Sequence, residues 1–222
     1  MSFRSELAPN RKRSGVIQAG PSVSYPGIRT AAVWTIGAAT LSTTVGQPSL
    51  GDLIFAGLQT QNWALVLAGC GAAAGLALTV DALLGVAEHT HASGRECLTA
   101  IVLAYEIYLG LCDAVRNGGF DPAGFGCIAV AAVAGRLLGL NLEQLSHAIA
   151  NAAVPNVMLK QVRTDHLTPW KAHAAGYAGK AGVFAAQLAR AGAVGPHLPF
   201  EGESGWCAHV AGQRFSLTLI TA

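Results

Sequence analysis

The sequence is short of charge. Asp, Glu, Lys and Arg make up 12% of 222 residues, about half the usual share, and the mean hydropathy is +0.43. A membrane protein therefore has to be weighed. The longest run free of charge and strong polarity, Ala64 to Val80, holds 17 residues, is mostly Ala and Gly in its middle, and leads directly into Asp81. That is the short limit for a span. Later apolar runs are broken by Glu106, Asp113, Arg136 and Glu143 at helical spacing. A soluble all-helical protein with broad buried faces, some of them covered in an oligomer, fits better; an integral membrane protein is the alternative.

Other absences exclude other classes. A formal charge of +2, with no basic run longer than Arg11-Lys12-Arg13, gives no footprint for nucleic acid. Five cysteines lie far apart with no CxxC and no zinc-finger or iron–sulfur spacing, so they read as reduced thiols of a cytosol-like compartment. The first thirty residues contain Glu6 and Pro9 but no apolar core, so no secretory signal is expected. The expected location is cytoplasmic, or the mitochondrial matrix if the source is eukaryotic. Dinucleotide-binding, Walker and nucleophile-elbow motifs are missing in their required contexts.

What is present is mostly Ala, Gly, Leu and Val. Residues 1–30 are polar, carry Pro9, Pro21 and Pro26, and are expected to form a poorly ordered tail ahead of one domain over 31–215. Thr30 to Val80 is apolar but weakly punctuated, and Leu41 to Gly51 commits to neither helix nor strand. A helix is expected over about Leu76–Val86, followed by a polar turn at Glu88-His89-Thr90-His91. Ser93 and Glu96 have the spacing of a capping box, opening a helix to about Val115 that Asn117-Gly118-Gly119 closes. Leu98, Ile101, Val102, Tyr105, Leu109 and Cys112 make its expected buried face. Cys127 to Leu138 reads as an Ala/Val helix able to pack closely. Asn141 with Gln144 caps the next helix, which must stop near Ala153 because Pro155 follows. Thr168 and Pro169 read as N-cap and first position of a long helix ending near Ala191. Only Arg214 to Ile220 looks strand-like, so the fold class is all-α.

Charge gathers in one stretch, where Lys160, Arg163, Asp165, His166, Lys171, His173 and Lys180 fall between Leu159 and Gly192. Trp170, Lys171 and His173 should occupy the first turn of the long helix. Free amides and the helix dipole make that turn an anion site, to which Lys171 and Arg163 add full charges. A capped helix with solvated lysines is the plain alternative. Asp81 and His91 flank an expected turn and could set a carboxylate and an imidazole at one cleft mouth; the competing reading has Asp81 capping a helix end and His91 bonding within its loop. His89 and His91 alternate as in some metal sites, with no third ligand at a suggestive spacing. Asp121, in a Phe-Asp-Pro turn, is expected to cap backbone amides.

Five blocks follow in order: SGRECLTAIVLAYEIYLGLCDA from Ser93, GFDPAGFG from Gly119, AGRLLGLNLEQLSHAIANAAVPN from Ala134, LKQVRTDHLTPWK from Leu159 and PFEGESGW from Pro199. Together they resemble the N-terminal helical part of the MmgE/PrpD family, whose members include 2-methylcitrate dehydratase and cis-aconitate decarboxylase. The LCDA, AVPN, QxR and WK pieces are more similar to the dehydratase branch.

The resemblance implies a multi-helix, bundle-like domain without the family's α/β lid, residues 216–222 being a truncated start of the next segment. It implies a hydro-lyase of the 2-methylcitrate dehydratase type acting on a tricarboxylate, without a cofactor or metal. Asp81, His91 and Lys171 are the implied catalytic residues, with Arg163 and His173 binding substrate. A family histidine expected in the turn after Gly-Phe is replaced by Asp121 or Pro122. The implied assembly is a homodimer, with neither nucleic acid nor membrane as partner. The competing reading is a non-catalytic helical paralogue that only oligomerises.

Overall fold

The computed structural model describes residues 25–46, 48–49, 51–115, 119–164 and 170–217. Among these the chain is helical, with α1 at Tyr25–Leu41, α2 at Gly51–Gln59, α3 at Trp63–His89, α4 at Gly94–Ala114, α5 at Ala123–Leu137, α6 at Leu142–Ala153 and α7 at Trp170–Arg190. Strands are absent among the described residues, and one antiparallel bridge pairs Phe120 with Leu159. The all-α expectation holds.

Helix α5 is the axis, because every residue from Ala123 to Gly135 is buried. A helix apolar on all sides has no solvent face to offer and is stable only when surrounded. Four helices surround it. Ala123, Cys127 and Ala131 of α5 cluster with Ala174, Ala178 and Ala185 of α7, and Ala134 clusters with Ala186 and Ala189. The order of these pairs makes α5 and α7 parallel. Helix α4 runs the other way, with Ala100 and Ala104 beside Val130 and Val133 and Leu111 beside Phe125 and Ile128. Helix α6 is also antiparallel to α5, its Ala148 near Ala134 and its Ala152 accepting a long hydrogen bond from the Cys127 thiol at 3.7 Å. The last turns of α3 complete the shell through Leu83 and Val86.

Small residues set the spacing. A Cβ on Gly182 of α7 would lie 2.6 Å from the Cys127 carbonyl oxygen and 2.9 Å from the Ala131 nitrogen. The two helix backbones therefore nearly touch, and alanine methyls fill the rest of the seam, each contributing about 0.8 kcal/mol by leaving water.

Local signals formed as expected at two helix starts. Ser93 Oγ accepts from the Glu96 amide at 3.3 Å while the Ser93 amide donates to Glu96 Oε2 at 2.7 Å. Asn141 Oδ1 accepts from the Gln144 amide at 2.8 Å, and the Asn141 amide donates to Gln144 Oε1 at 3.2 Å. The Ser93 hydroxyl, donating to Glu96 Oε2 at 2.7 Å, and then the Ser93 amide hold the Glu96 carboxyl below its ordinary value.

Other expectations change. Thr30 to Val80, which commits to no element by pattern, is largely helical as α1 to α3, and α1 begins at Tyr25, inside the expected tail. The Leu76–Val86 helix extends from Trp63 to His89. On α4 the buried face is shifted: Leu98, Val102 and Leu109 are exposed, Ile101, Tyr105 and Cys112 are half-buried, and Ala100, Ala104 and Leu111 are buried. Both faces of α4 are apolar, and the one with small side chains can approach α5 more closely. Among the described residues α4 is the helix long and apolar enough to cross a membrane; its core face closes on α5, and it carries Arg95, Glu96, Glu106 and Asp113. Arg214 to Leu217 is irregular rather than strand-like, with Phe215 edge-on to Phe200 at 6.1 Å. Asn117, Gly118, Asp165, His166, Thr168 and Pro169 lie outside the described residues.

Candidate functional site

The parallel order of α5 and α7 brings their N-termini to the same end of the domain. There the chain makes a short antiparallel crossing: the Asp121 amide donates to the Met158 carbonyl and the Lys160 amide to the Gly119 carbonyl, both at 2.8 Å. A 3-10 turn, Lys160–Arg163, follows. Trp170 opens α7, so Lys171 stands in its first turn, half-buried, with His173 exposed beside it. The Trp170 ring leans on Tyr177 at 5.8 Å, and Lys180 Nζ lies 6.0 Å from the centre of the same Tyr177 ring. The N-terminus of α7 with Lys160 and Lys171 gives this end a positive character suited to carboxylates. The Arg163 side chain lies outside the described residues.

Asp121 is 1% exposed, and its Oδ1 accepts from the amide of Ala123, the first residue of α5, at 2.8 Å. The capping role expected from the Phe-Asp-Pro turn is the one observed. This turn borders the cationic end, yet the carboxylate is turned inward onto backbone.

The other expected site residues are elsewhere. Helix α3 continues through Asp81 to His89 and His91 stands in the turn after it, so nine residues of mostly helical chain lie between the two groups, a rise of about 15 Å. Two residues after Asp81, Leu83 packs against Val130 and Val133, level with the middle of α5. His91 has φ +53° and lines a polar cavity of about 410 Å³ with Arg95, Glu96, Thr99, Arg136 and Leu137. Arg136 and Leu137 form the last turn of α5, whereas Lys171 belongs to the end where α5 begins. The length of α5, about 20 Å, lies between His91 and Lys171. Lys171 and His173 are thus brought together with Lys160, while Asp81 and His91 are not brought to them. The cavity's Arg95 and Arg136 had no signal in the sequence, being far apart and on different helices.

Cys127 is the most perturbed thiol. Burial among alanines pushes its pKa from an ordinary 9.0 up to about 12. Burial also raises Cys97 and Cys112. Among the described residues no group of three or more His, Cys, Asp or Glu side chains converges as a metal site would require.

Fold and site together define an α-helical domain wrapped round one buried helix, with Lys160 and Lys171 at one end and Arg95 and Arg136 at the other. The chain belongs to the MmgE/PrpD family: residues 71–218, about two thirds of its length, match the MmgE/PrpD N-terminal domain. A separate likeness is shorter. Over 70 residues the chain is 44% identical to the carnitine transport permease protein OpuCD of Listeria monocytogenes serotype 1/2a (strain 10403S), and equally to that of Listeria monocytogenes, which is 31% of this chain and 31% of each permease. The chain thus spans about a third of the length of the curated relatives it matches.

Proposed function

We propose that this chain carries the carboxylate-binding end of a hydro-lyase of the 2-methylcitrate dehydratase type, with a tricarboxylate as ligand. The observation that supports this reading is the α7 N-terminus carrying Lys171 at the end of the domain where the Lys160 turn lies, in a domain of the MmgE/PrpD family. Dehydration removes a proton from carbon beside a carboxylate, expels the neighbouring hydroxyl as water and leaves a carbon–carbon double bond. Negative charge grows on that carboxylate as the proton leaves. Lys171, a point charge at a helix N-terminus, suits this duty, and His173 in the same turn suits a second carboxylate.

The proton-transfer half is where a second reading gains support. His91 stands about 20 Å from Lys171, and Asp121 is committed to the Ala123 amide. On these grounds a tricarboxylate-binding or purely oligomerising helical protein without turnover is the competing function. The short permease likeness is too small a part of those proteins to bring transport to this chain.

Calorimetric titration of the full chain with 2-methylcitrate and citrate, beside an assay for loss of water from each, tests both. Binding that Lys171→Ala weakens about tenfold or more, the loss expected for a charged hydrogen bond, supports the first reading. Unchanged binding in Lys171→Ala removes the site from this end. Binding without turnover leaves the ligand and discards the lyase.

A further inference from the structure

The cavity beside His91 lies at the end of α5 away from Lys171 and has no part in the function proposed above. Three elements meet there. The turn after α3 supplies Thr90 and His91, the start of α4 supplies Arg95, Glu96 and Thr99, and the last turn of α5 supplies Arg136. Buried Ala100 and half-buried Leu137 add apolar walls to the space of about 410 Å³.

Most polar groups around this cavity already have partners. The Glu96 carboxylate accepts from the Ser93 hydroxyl and the Ser93 amide, both at 2.7 Å. Thr99 donates its hydroxyl proton to the Arg95 carbonyl at 2.9 Å, and Thr90 donates to the Val86 carbonyl at 3.0 Å. The carbonyls of Val86, Ala87 and Glu88, which end α3, accept from the amides of Thr90, Ala92 and His91. Those of Ala134, Gly135 and Arg136, which end α5, accept from Leu138, Leu140 and Gly139. The Arg136 guanidinium is therefore not needed to close its own helix. Among the described residues neither guanidinium, nor the His91 ring, has a hydrogen bond or ion pair. Two guanidinia and an imidazole are what this cavity has left to offer, and the guanidinia are donors only.

Helix stability does not account for the arrangement. Arg95 stands in the first turn of α4, the end at which a helix dipole disfavours a cation, and like charges that line one cavity repel. His91 holds φ +53°, a left-handed conformation that glycine adopts without the cost a side chain brings. Arg95 and Arg136 bring two positive charges against the single negative charge of Glu96. Cations set against an apolar wall focus their field and gather counter-ions, and each guanidinium presents a fork of N–H groups that matches an oxyanion. Three donors from three elements suit one group that carries several oxygens and two charges on a single centre, which is a phosphate.

We propose that this cavity binds a phosphate group between Arg95 and Arg136, with His91 as third donor, and that the ligand ties the turn after α3 to the end of α5. The test is calorimetric titration of the full chain with inorganic phosphate and with glycerol phosphate, beside malonate and sodium chloride at equal ionic strength. It is run in the parent and in Lys171→Ala, so that the opposite cationic end is not what is read. Phosphate should bind in both chains and raise the melting temperature where chloride does not; tighter binding of glycerol phosphate assigns the site to an ester rather than the free ion. Arg95→Gln and Arg136→Gln should each weaken binding about tenfold or more. Arg136→Lys, which keeps the charge without the fork, should restore only part of it, and near-ultraviolet circular dichroism like that of the parent shows that a loss is not unfolding. Phosphate binding that survives Arg95→Gln with Arg136→Gln overturns the proposal, as does an effect that chloride reproduces. Binding lost in Lys171→Ala and kept in the arginine variants also overturns it and moves the anion to the start of α7. Malonate binding more tightly than either phosphate compound overturns the choice of phosphate.

Discussion

Gly182→Ala should destabilise the domain although it replaces the poorest ordinary helix former with the best. In an exposed helix this exchange gains about 1 kcal/mol. At Gly182 the new methyl would sit 2.6 Å from the Cys127 oxygen, 2.7 Å from Val130 Cβ and 2.9 Å from the Ala131 nitrogen. Two of these are backbone of a helix buried on every side, and none can swing away. Relief requires moving α7 off α5 by most of an ångström, which loosens the alanine contacts along the whole seam. Overpacking of this kind costs about 1–3 kcal/mol, and a rigid wall puts it at the upper end, leaving about 2 kcal/mol net destabilisation. Gly85→Ala is the matched control, since a Cβ there meets nothing within 4 Å, and the same exchange in α3 should add about 0.5–1 kcal/mol. Guanidinium unfolding followed by the emission of Trp206, buried against Phe125 at 5.5 Å, reads both, with Trp34, Trp63 and Trp170 changed to Phe in the parent. A Gly182→Ala midpoint at or above that of the parent would refute the close parallel packing of α5 and α7.

Asp121→Ala should cost about 1–2 kcal/mol by freeing the Ala123 amide, whereas Asp121→Asn keeps an acceptor and should recover most of it in the same unfolding assay. Equal losses in both would mean that the charge, not the acceptor, is what the turn needs. Cys127 should resist alkylation in the folded chain at mildly alkaline pH while exposed Cys70 reacts, as peptide mass mapping would report. The sign follows from its raised pKa: stability is unaffected below pH 9 and falls as pH rises from 9 toward 12, because only the unfolded chain can release that proton there. Cys127→Ala should flatten this alkaline slope.

Helix starts were legible because their signals are local. Ser93 with Glu96, and Asn141 with Gln144, act within one turn and need nothing else of the fold. Pro155 likewise dictated the end of α6. Face choice on α4 was not legible, since Leu98, Val102 and Leu109 are as apolar as the buried side, and only the position of α5 decides between them. The stretch before Val80 hid its helices for a related reason: a segment apolar all round has no periodicity to read. Lys171 falls in the first turn of α7, as expected, because the cues for a helix start lie beside it in the sequence. Asp81 and His91 were paired across an expected turn; the turn forms at Thr90–His91, but α3 runs on to His89, so nearness in sequence became distance along a helix.

The parallel arrangement of α5 and α7 also constrains the order in which the chain can assemble. Residues that meet across this seam, such as Cys127 and Gly182, are about fifty apart, and closing such a loop directly costs about 3.5 kcal/mol of chain entropy before any contact forms. Pairing α5 with α6 first closes only the short turn through Gly139 and Asn141, and lays a return path along which α7 can then dock. Helix α6 is therefore the splint on which this contact is set, and the seam that defines the Lys171 end is expected to close after α5 and α6 have paired.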